Sequence, residues 1–267
     1  MYFRSNLIPM SSLERTRKFV KANTSDFARN LDVVEVAGNE FGELVTSYPL
    51  CFYFQDQQPV VGALFTLMPG TNFFVLPSGA WGANYVPTQI STWPFALLAP
   101  TNEDAAVFCI EESGLDSADT EALDNMLPLY DENDEPVKEV RLARETLETF
   151  YTSLKSTRRA AALLHKHELL EPWPLALQRD GVLQQLNGLW HVNEAAIREL
   201  DPSELSELAN HGGLALAYTA LLSESRVDML QAAAREHART QEAKLKVQAE
   251  LRKTLGDRDT NKLDFGF

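Results

Sequence analysis

The stretch Tyr48-Pro49-Leu50-Cys51-Phe52-Tyr53-Phe54, the polar turn Gln55-Asp56-Gln57-Gln58-Pro59 and the apolar run over 59–67 decide the fold. Aromatic and β-branched residues suit a pleated, half-buried surface, so 50–54 and 59–67 read as strands. Parallel neighbours need a crossover of about a dozen residues or more, so the short turn between these strands makes an antiparallel hairpin. Pro69-Gly70-Thr71 supplies another short turn before a third strand candidate, Asn72-Phe73-Phe74-Val75-Leu76. Upstream, Leu31 to Val36 is β-branched and reads as a strand, and Phe41, Leu44 and Val45 within 39–46 have the spacing of one helix face. Downstream, Phe95 to Leu98 and Ala105 to Ile110 form a further strand pair joined by Ala99-Pro100-Thr101-Asn102.

After Ile110 the composition changes. Residues 111–137 are acidic and poor in β-branched residues, which predicts a loop with a short helix near Thr120 to Met126. Val140, Leu147, Phe150, Leu154 and Ala161 then recur at helical spacing, and Pro172 and Pro174 end that helix. Arg179-Asp180-Gly181 is an Asp-Gly hairpin signal between Leu175-Ala176-Leu177 and Val182 to Val192. Asn193 caps a short helix through Leu200, and Asp201-Pro202-Ser203-Glu204 opens another with a capping Asp, a Pro at the first helical position and a Glu three residues on. Gly212-Gly213 stops it, a helix follows from Leu214 to about Ser223, and 226–255 is one long helix without a firm apolar stripe. A short helix also fits Leu13 to Val20.

The expected class is α+β: an antiparallel sheet of about five strands with a covering helix, then a mostly helical C-terminal half. The expected organisation is a basic leader over 1–30, an α+β region over 31–225 with its acidic connection near 111–137, a long exposed helix over 226–255 and a disordered tail over 256–267. Whether the hairpin over 175–192 joins the first sheet decides between one domain and two.

The 267 residues are 45% hydrophobic and 23% charged, the proportions of a globular protein with a sizeable core. A net charge of −14 argues against a general nucleic-acid binder, whose affinity comes from Lys and Arg neutralising phosphates. The imbalance is concentrated in 101–150, where fifteen Asp and Glu face Lys138, Arg141 and Arg144. The first thirty residues run the other way, with Arg4, Arg15, Arg17, Lys18, Lys21 and Arg29. This basic leader either lies on the acidic region, in its own chain or a neighbour's, or remains separately solvated. Cys51 and Cys109 sit in apolar runs and read as buried free thiols, with a disulfide or metal pair as the alternative. No signal peptide is visible in Met1 to Met10, and no window reaches the roughly 18–20 apolar residues of a membrane span. On these signals the chain is soluble and cytoplasmic.

Several pieces resemble, in order and spacing, the SapC family, a bacterial group named for surface-layer association. They are Glu40-Phe41, the Tyr48-Pro49-Leu50-Cys51-Phe52 strand, Gly70-Thr71-Asn72-Phe73-Phe74-Val75, the Gly79, Trp81, Tyr85-Val86-Pro87 segment and Pro94-Phe95. Further on, Leu169-Leu170-Glu171-Pro172 and Gly188 to Glu194 fall where similar members carry related patterns. Ser91-Thr92-Trp93 departs from an Arg-Arg-Tyr typical before the Pro-Phe pair. The resemblance covers roughly residues 30–225 and implies a structural or accessory role at the cell surface. It implies no catalytic residues and no cofactor.

The candidate ligand-binding residues are Asn72, Trp81, Asn84, Tyr85, Trp93 and Phe95. Aromatic faces beside Gly-rich backbone stack on a glycan, a peptide or a small aromatic, and the amides bond hydroxyls; the competing reading is that these rings close the core. His165-Lys166-His167-Glu168 reads as a solvated helix end, since residues two apart on a helix point to different faces and cannot share a metal. Asp131-Glu132-Asn133-Asp134-Glu135 lacks the central Gly and twelfth-position Glu of a calcium loop and reads as a solvated acidic turn. Ser78 lacks the Gly-x-Ser-x-Gly context of a nucleophile, and His191 has no partner assigned by sequence. No phosphate loop, metal spacing or catalytic motif is present. Three functions follow: a non-catalytic protein working by protein contacts or self-association through 226–255 and the opposed charges, a binding module on the aromatic cluster, or an enzyme with an unrecognised site.

Overall fold

The computed structural model describes residues 6–98, 106–116, 125–179 and 182–255. In chain order the strands are β1 (Leu7–Pro9), β2 (Lys18–Val20), β3 (Val33–Glu35), β4 (Leu50–Gln55), β5 (Gln58–Leu64) and β6 (Phe95–Leu98). They continue with β7 (Val107–Glu111), β8 (Met126–Pro128), β9 (Leu170–Pro172), β10 (Ala176–Arg179), β11 (Val182–Gln185) and β12 (Trp190–Val192). The α-helices are α1 (Phe41–Leu44), α2 (Thr88–Ser91), α3 (Lys138–Lys166), α4 (Glu194–Arg198), α5 (Pro202–Asn210), α6 (Gly213–Ser223) and α7 (Val227–Leu255). The class is α+β, with an antiparallel five-stranded sheet and a helical C-terminal half.

The β4–β5 hairpin forms as its sequence predicts, paired from Leu50 opposite Ala63 to Gln55 opposite Gln58, with Asp56 and Gln57 in the left-handed region at the turn. It is the centre of a sheet ordered β3-β5-β4-β12-β9. Two of those strands come from the C-terminal half: β12 meets β4 at Trp190 opposite Phe52, and β9 pairs with β12. The 176–185 hairpin itself stands apart as a two-stranded ribbon, and its Asp180-Gly181 turn lies outside the described residues. Pro172 sits on the outer strand β9, where a missing N–H costs no ladder bond.

Two expectations are corrected. Residues 72–76 are a turn rather than a strand, because the Asn72 side chain captures the Phe74 amide at 2.9 Å and bends the chain, leaving one bridge between Val75 and Trp81. Residues 13–20 hold no helix; Lys18–Val20 is a strand because it pairs with Met126–Pro128. The strand pair expected over 95–98 and 105–110 forms as β6–β7 and joins β1 in a separate sheet ordered β1-β7-β6. Of the short helix expected near 120–126, Met126 opens β8 and residues 120–124 lie outside the described set, as does the tail 256–267.

The helix α3 spans two cores. Its Val140 and Leu147 pack with Phe19, Phe95, Ile110, Leu115 and Leu129, whereas Ala160, Ala161 and Leu164 pack with the five-stranded sheet and α6. Phe150 and Leu154 lie between them against Ala37. Residues three and four apart line one helix face, so a single stripe serves both cores. The basic leader lies on the acidic segment of its own chain. Arg17 pairs with Asp116, Lys21 lies 3.5 Å from Glu139, and the Arg15 guanidinium sits 4.0 Å from the centre of the Tyr130 ring.

Cys51 and Cys109 are both free and buried, and burial pushes the Cys51 thiol up to about 12. Gly62 is opposite Cys51 in β5, and a Cβ there would lie 2.4 Å from Val33 Cγ2. Val is stiff at χ1 and cannot swing clear cheaply. Gly62→Ala is therefore expected to cost about 1–3 kcal/mol in urea unfolding. Gly42→Ala, where a Cβ meets nothing within 4 Å, is the control and is expected to leave stability unchanged or slightly raised.

Candidate functional site

Glu40 ends a 3-10 turn, Gly38–Glu40, that leads directly into α1. The turn is fixed from α3: Thr157 Oγ1 accepts from the Gly38 amide at 2.8 Å and Ser153 Oγ from the Asn39 amide at 3.0 Å. This holds the Glu40 carboxylate inside the protein, at 2% exposure. A buried carboxylate is tolerated only where donors replace its water. Here Oε1 accepts from the Thr88 amide at 2.7 Å and from the Tyr85 hydroxyl at 2.8 Å, and Oε2 from the Ala37 amide at 3.3 Å.

The network continues through Tyr85. Its carbonyl accepts from the Tyr48 hydroxyl, which in turn accepts from Trp81 Nε1 at 2.7 Å. The same indole N–H lies 3.2 Å from the Tyr85 carbonyl. Tyr48 and Trp81 pack with Phe65 and Phe74 as edge-on, tilted or stacked rings. Burial, reinforced by the nearby Glu40 carboxylate, raises the Tyr85 phenol to about 12. Burial raises the Tyr48 phenol as well. Both stay protonated, as donation to a carboxylate and a carbonyl requires.

The six candidate residues do not form one cluster. Trp81 and Tyr85 are joined through the bonds just described. Asn72 lies beneath them with its amide consumed, Nδ2 donating to the Ala28 carbonyl at 3.0 Å. Asn84 is exposed. Trp93 stacks on Phe27 with ring centres 4.5 Å apart and donates Nε1 to Glu111 at 3.2 Å. Phe95 belongs to the other core, beside Phe19 and Phe108.

Two histidine sites escaped the sequence reading. His167, expected at a solvated helix end, is 7% exposed in its side chain, held between Glu204 at 3.3 Å and Glu207 at 2.9 Å from α5. His165 does go to a different face, where its ring meets Phe54. His191 stacks on Trp173 with Nδ1 3.0 Å from Glu224; Nε2 is 3.3 Å from Glu171 but off hydrogen-bond alignment. Asn193 holds the other Glu171 oxygen at 2.7 Å. Both sites join strands or helices distant in sequence, so no local spacing announces them. The two carboxylates of each site lie on opposite ring nitrogens and cannot converge on one ion. Among the described residues, no group of three or more His, Cys, Asp and Glu is placed to hold a metal.

These features define an α+β protein whose inward-facing polar groups bind one another: one buried carboxylate network and two histidine clasps. The SapC family model matches residues 15–230, and the chain belongs to the SapC family. No curated protein and no solved structure matches it. Several of the signature pieces quoted from the sequence meet here. Glu40, Tyr48, Trp81 and Tyr85 share the first network, and Leu169 to Pro172 pairs with Trp190 to Val192 at the sheet edge.

Glu40→Ala strands three donors, and each unsatisfied buried group costs about 1–3 kcal/mol, so a loss on the order of 3 kcal/mol or more is expected in chemical unfolding. Tyr85→Phe removes one bond and is expected to cost about 1 kcal/mol. Lys166 first, and His167 with it, hold the Glu207 carboxyl below the usual range. A depressed carboxyl stabilises the fold at neutral pH, and that contribution is lost as pH falls below the unfolded carboxylate range and through the folded value. The melting-temperature gap between wild type and Glu207→Gln is expected to be widest near neutral pH and to close in acid.

Proposed function

We propose that this chain is a non-catalytic SapC-family protein with a structural or accessory role at the bacterial surface layer, exerted through protein–protein contacts. One observation carries the reading. The polar atoms of the signature residues are engaged inside the molecule, while large apolar side chains, including Leu142, Tyr218, Leu222 and Met229, are left outside. Groups already bonded to each other have little to offer a substrate, whereas exposed large hydrophobes suit a protein partner. The surface-layer element of the reading rests on the family resemblance.

A second reading places a glycan, peptide or small aromatic ligand on the edge of Trp81 and Tyr85. It is favoured by one feature: both rings are half-buried and Asn84, between them in sequence, is exposed. Fractionation of the native host, with protease added to intact cells, separates the two. The expected result is envelope-associated protein cleaved from outside. Cytosolic protein protected from protease would contradict the surface role. The ligand reading would then lead, with Asn84→Ala expected to weaken any saturable tryptophan-fluorescence response to glycans or aromatic metabolites.

A further inference from the structure

The C-terminal helices form one unbroken run. α6 passes through the 3-10 turn Glu224–Arg226 into α7 with helical dihedrals at both joints, φ −58° and ψ −31° at Glu224, φ −59° and ψ −36° at Val227. One side of the run is core: Leu216, Ala217, Ala220, Ser223, Val227, Leu230 and Ala234 are buried. The other side carries Tyr218 at 45% exposure, Leu222 at 71% and Met229 at 43%. These three are spaced four and seven residues apart, which puts them on one face. Beyond Ala238 the run leaves the body, and residues 239–248 are exposed on every side. That arm also lies past residue 230, where the family match ends.

An isolated helical segment of about 12–15 residues is marginal in water, so this arm gains from packing that the described residues of its own chain do not supply. The charges identify the occupant. The arm carries Arg239, Lys244 and Lys246 against Glu242, with Arg235 and Glu236 in the turn before it, in a protein of net charge −14. At the other end of the run, the adjoining α4–α5 segment carries Glu194, Glu199, Asp201, Glu204 and Glu207 and stays acidic after Arg198 meets Glu194 and Lys166 and His167 of the α3 end meet Glu204 and Glu207. Acidic at one end and basic at the other, with an apolar stripe between, the run complements an inverted copy of itself. The N-terminal cations Arg15, Arg17 and Lys21 already face groups of their own chain and are not part of this surface.

We propose that the chain forms a two-fold dimer in which the 213–248 helical run pairs antiparallel with that of a second copy. The proposal rests on the protein-contact reading above and names its partner. An axis crossing the run between Ser225 and Arg226 sets Leu222 opposite the partner's Met229 and Tyr218 opposite the partner's Ala233. Residues 228–238 then run back along the partner's α6, and the basic arm from Arg239 starts at the α5 joint at Gly212 and reaches past it towards the acidic α5 end. Such an interface is isologous, with the same patch used twice, and it closes after two subunits.

The test is the solution mass of the full chain over a range of concentrations, at low and high salt. The predicted result is a species of twice the 29.9 kDa monomer that salt weakens. Leu222→Glu introduces charge at an exposed site and is expected to raise the dimer Kd about tenfold or more, with the melting temperature unchanged at dilutions where both proteins are monomeric. Arg235→Glu/Arg239→Glu, which leaves the apolar face intact, is expected to weaken the dimer in the same direction. A monomer at all concentrations, or a dimer indifferent to both variants, would overturn the interface. If protein at the cell surface is still cleaved by external protease in that case, the surface role stands and only its self-association falls. A dimer in protease-protected cytosol would leave the interface standing without the surface role.

Discussion

The buried Glu40 carboxylate is the constraint on which the rest of this architecture turns. Its burial would be prohibitive without donors, and the donors come from three places: the Ala37 amide, the Thr88 amide and the Tyr85 hydroxyl. Satisfying one group therefore fixes the start of α1, the start of α2 and the loop between them and the sheet. Tyr85 passes the constraint to Tyr48 at the mouth of β4 and to Trp81 over the core. Ser153 and Thr157 tie the same turn to α3, the helix that spans both cores. A network of this kind gives little when complete and costs much when one member is missing, which makes it a device for specifying one arrangement.

The second half of the signature works by closure of the sheet. β9 and β12 bring the C-terminal half to the edge of β4, and the His191 contacts with Glu171 and Glu224 fasten that edge to the turn between α6 and α7. His167 does the same between α3 and α5. The signature residues Glu40, Tyr48, Trp81 and Tyr85 thus act on one another.

What the sequence reveals follows the range of the interactions. The β4–β5 turn, the Asn193 cap on Ala196 and the Glu204 bond to the Asp201 amide are local, and local chemistry writes them legibly. The failures are non-local or depend on a single side chain. The β12–β4 pairing joins Trp190 to Phe52, and no spacing predicts it. The Phe73-Phe74-Val75 run has strand composition, but Asn72 offers the backbone a better bond and turns it. Glu40 was visible as a family residue, yet nothing in Glu40-Phe41 says that the carboxylate points inward. The grouping of Trp81 with Tyr85 is legible from proximity, whereas Phe95 follows β6 into the second core and Trp93 stacks on Phe27 instead.

The central claim is that the polar atoms of these signature side chains are spent on one another and hold the fold together. Native-state hydrogen exchange at the Ala37 and Thr88 amides and the Trp81 indole N–H tests it most directly. The account predicts that all three exchange only through global unfolding, with free energies that fall together as denaturant is added. Fast, denaturant-independent exchange at Trp81 while the β4–β5 amides stay protected would contradict it, because the indole would then face an open site.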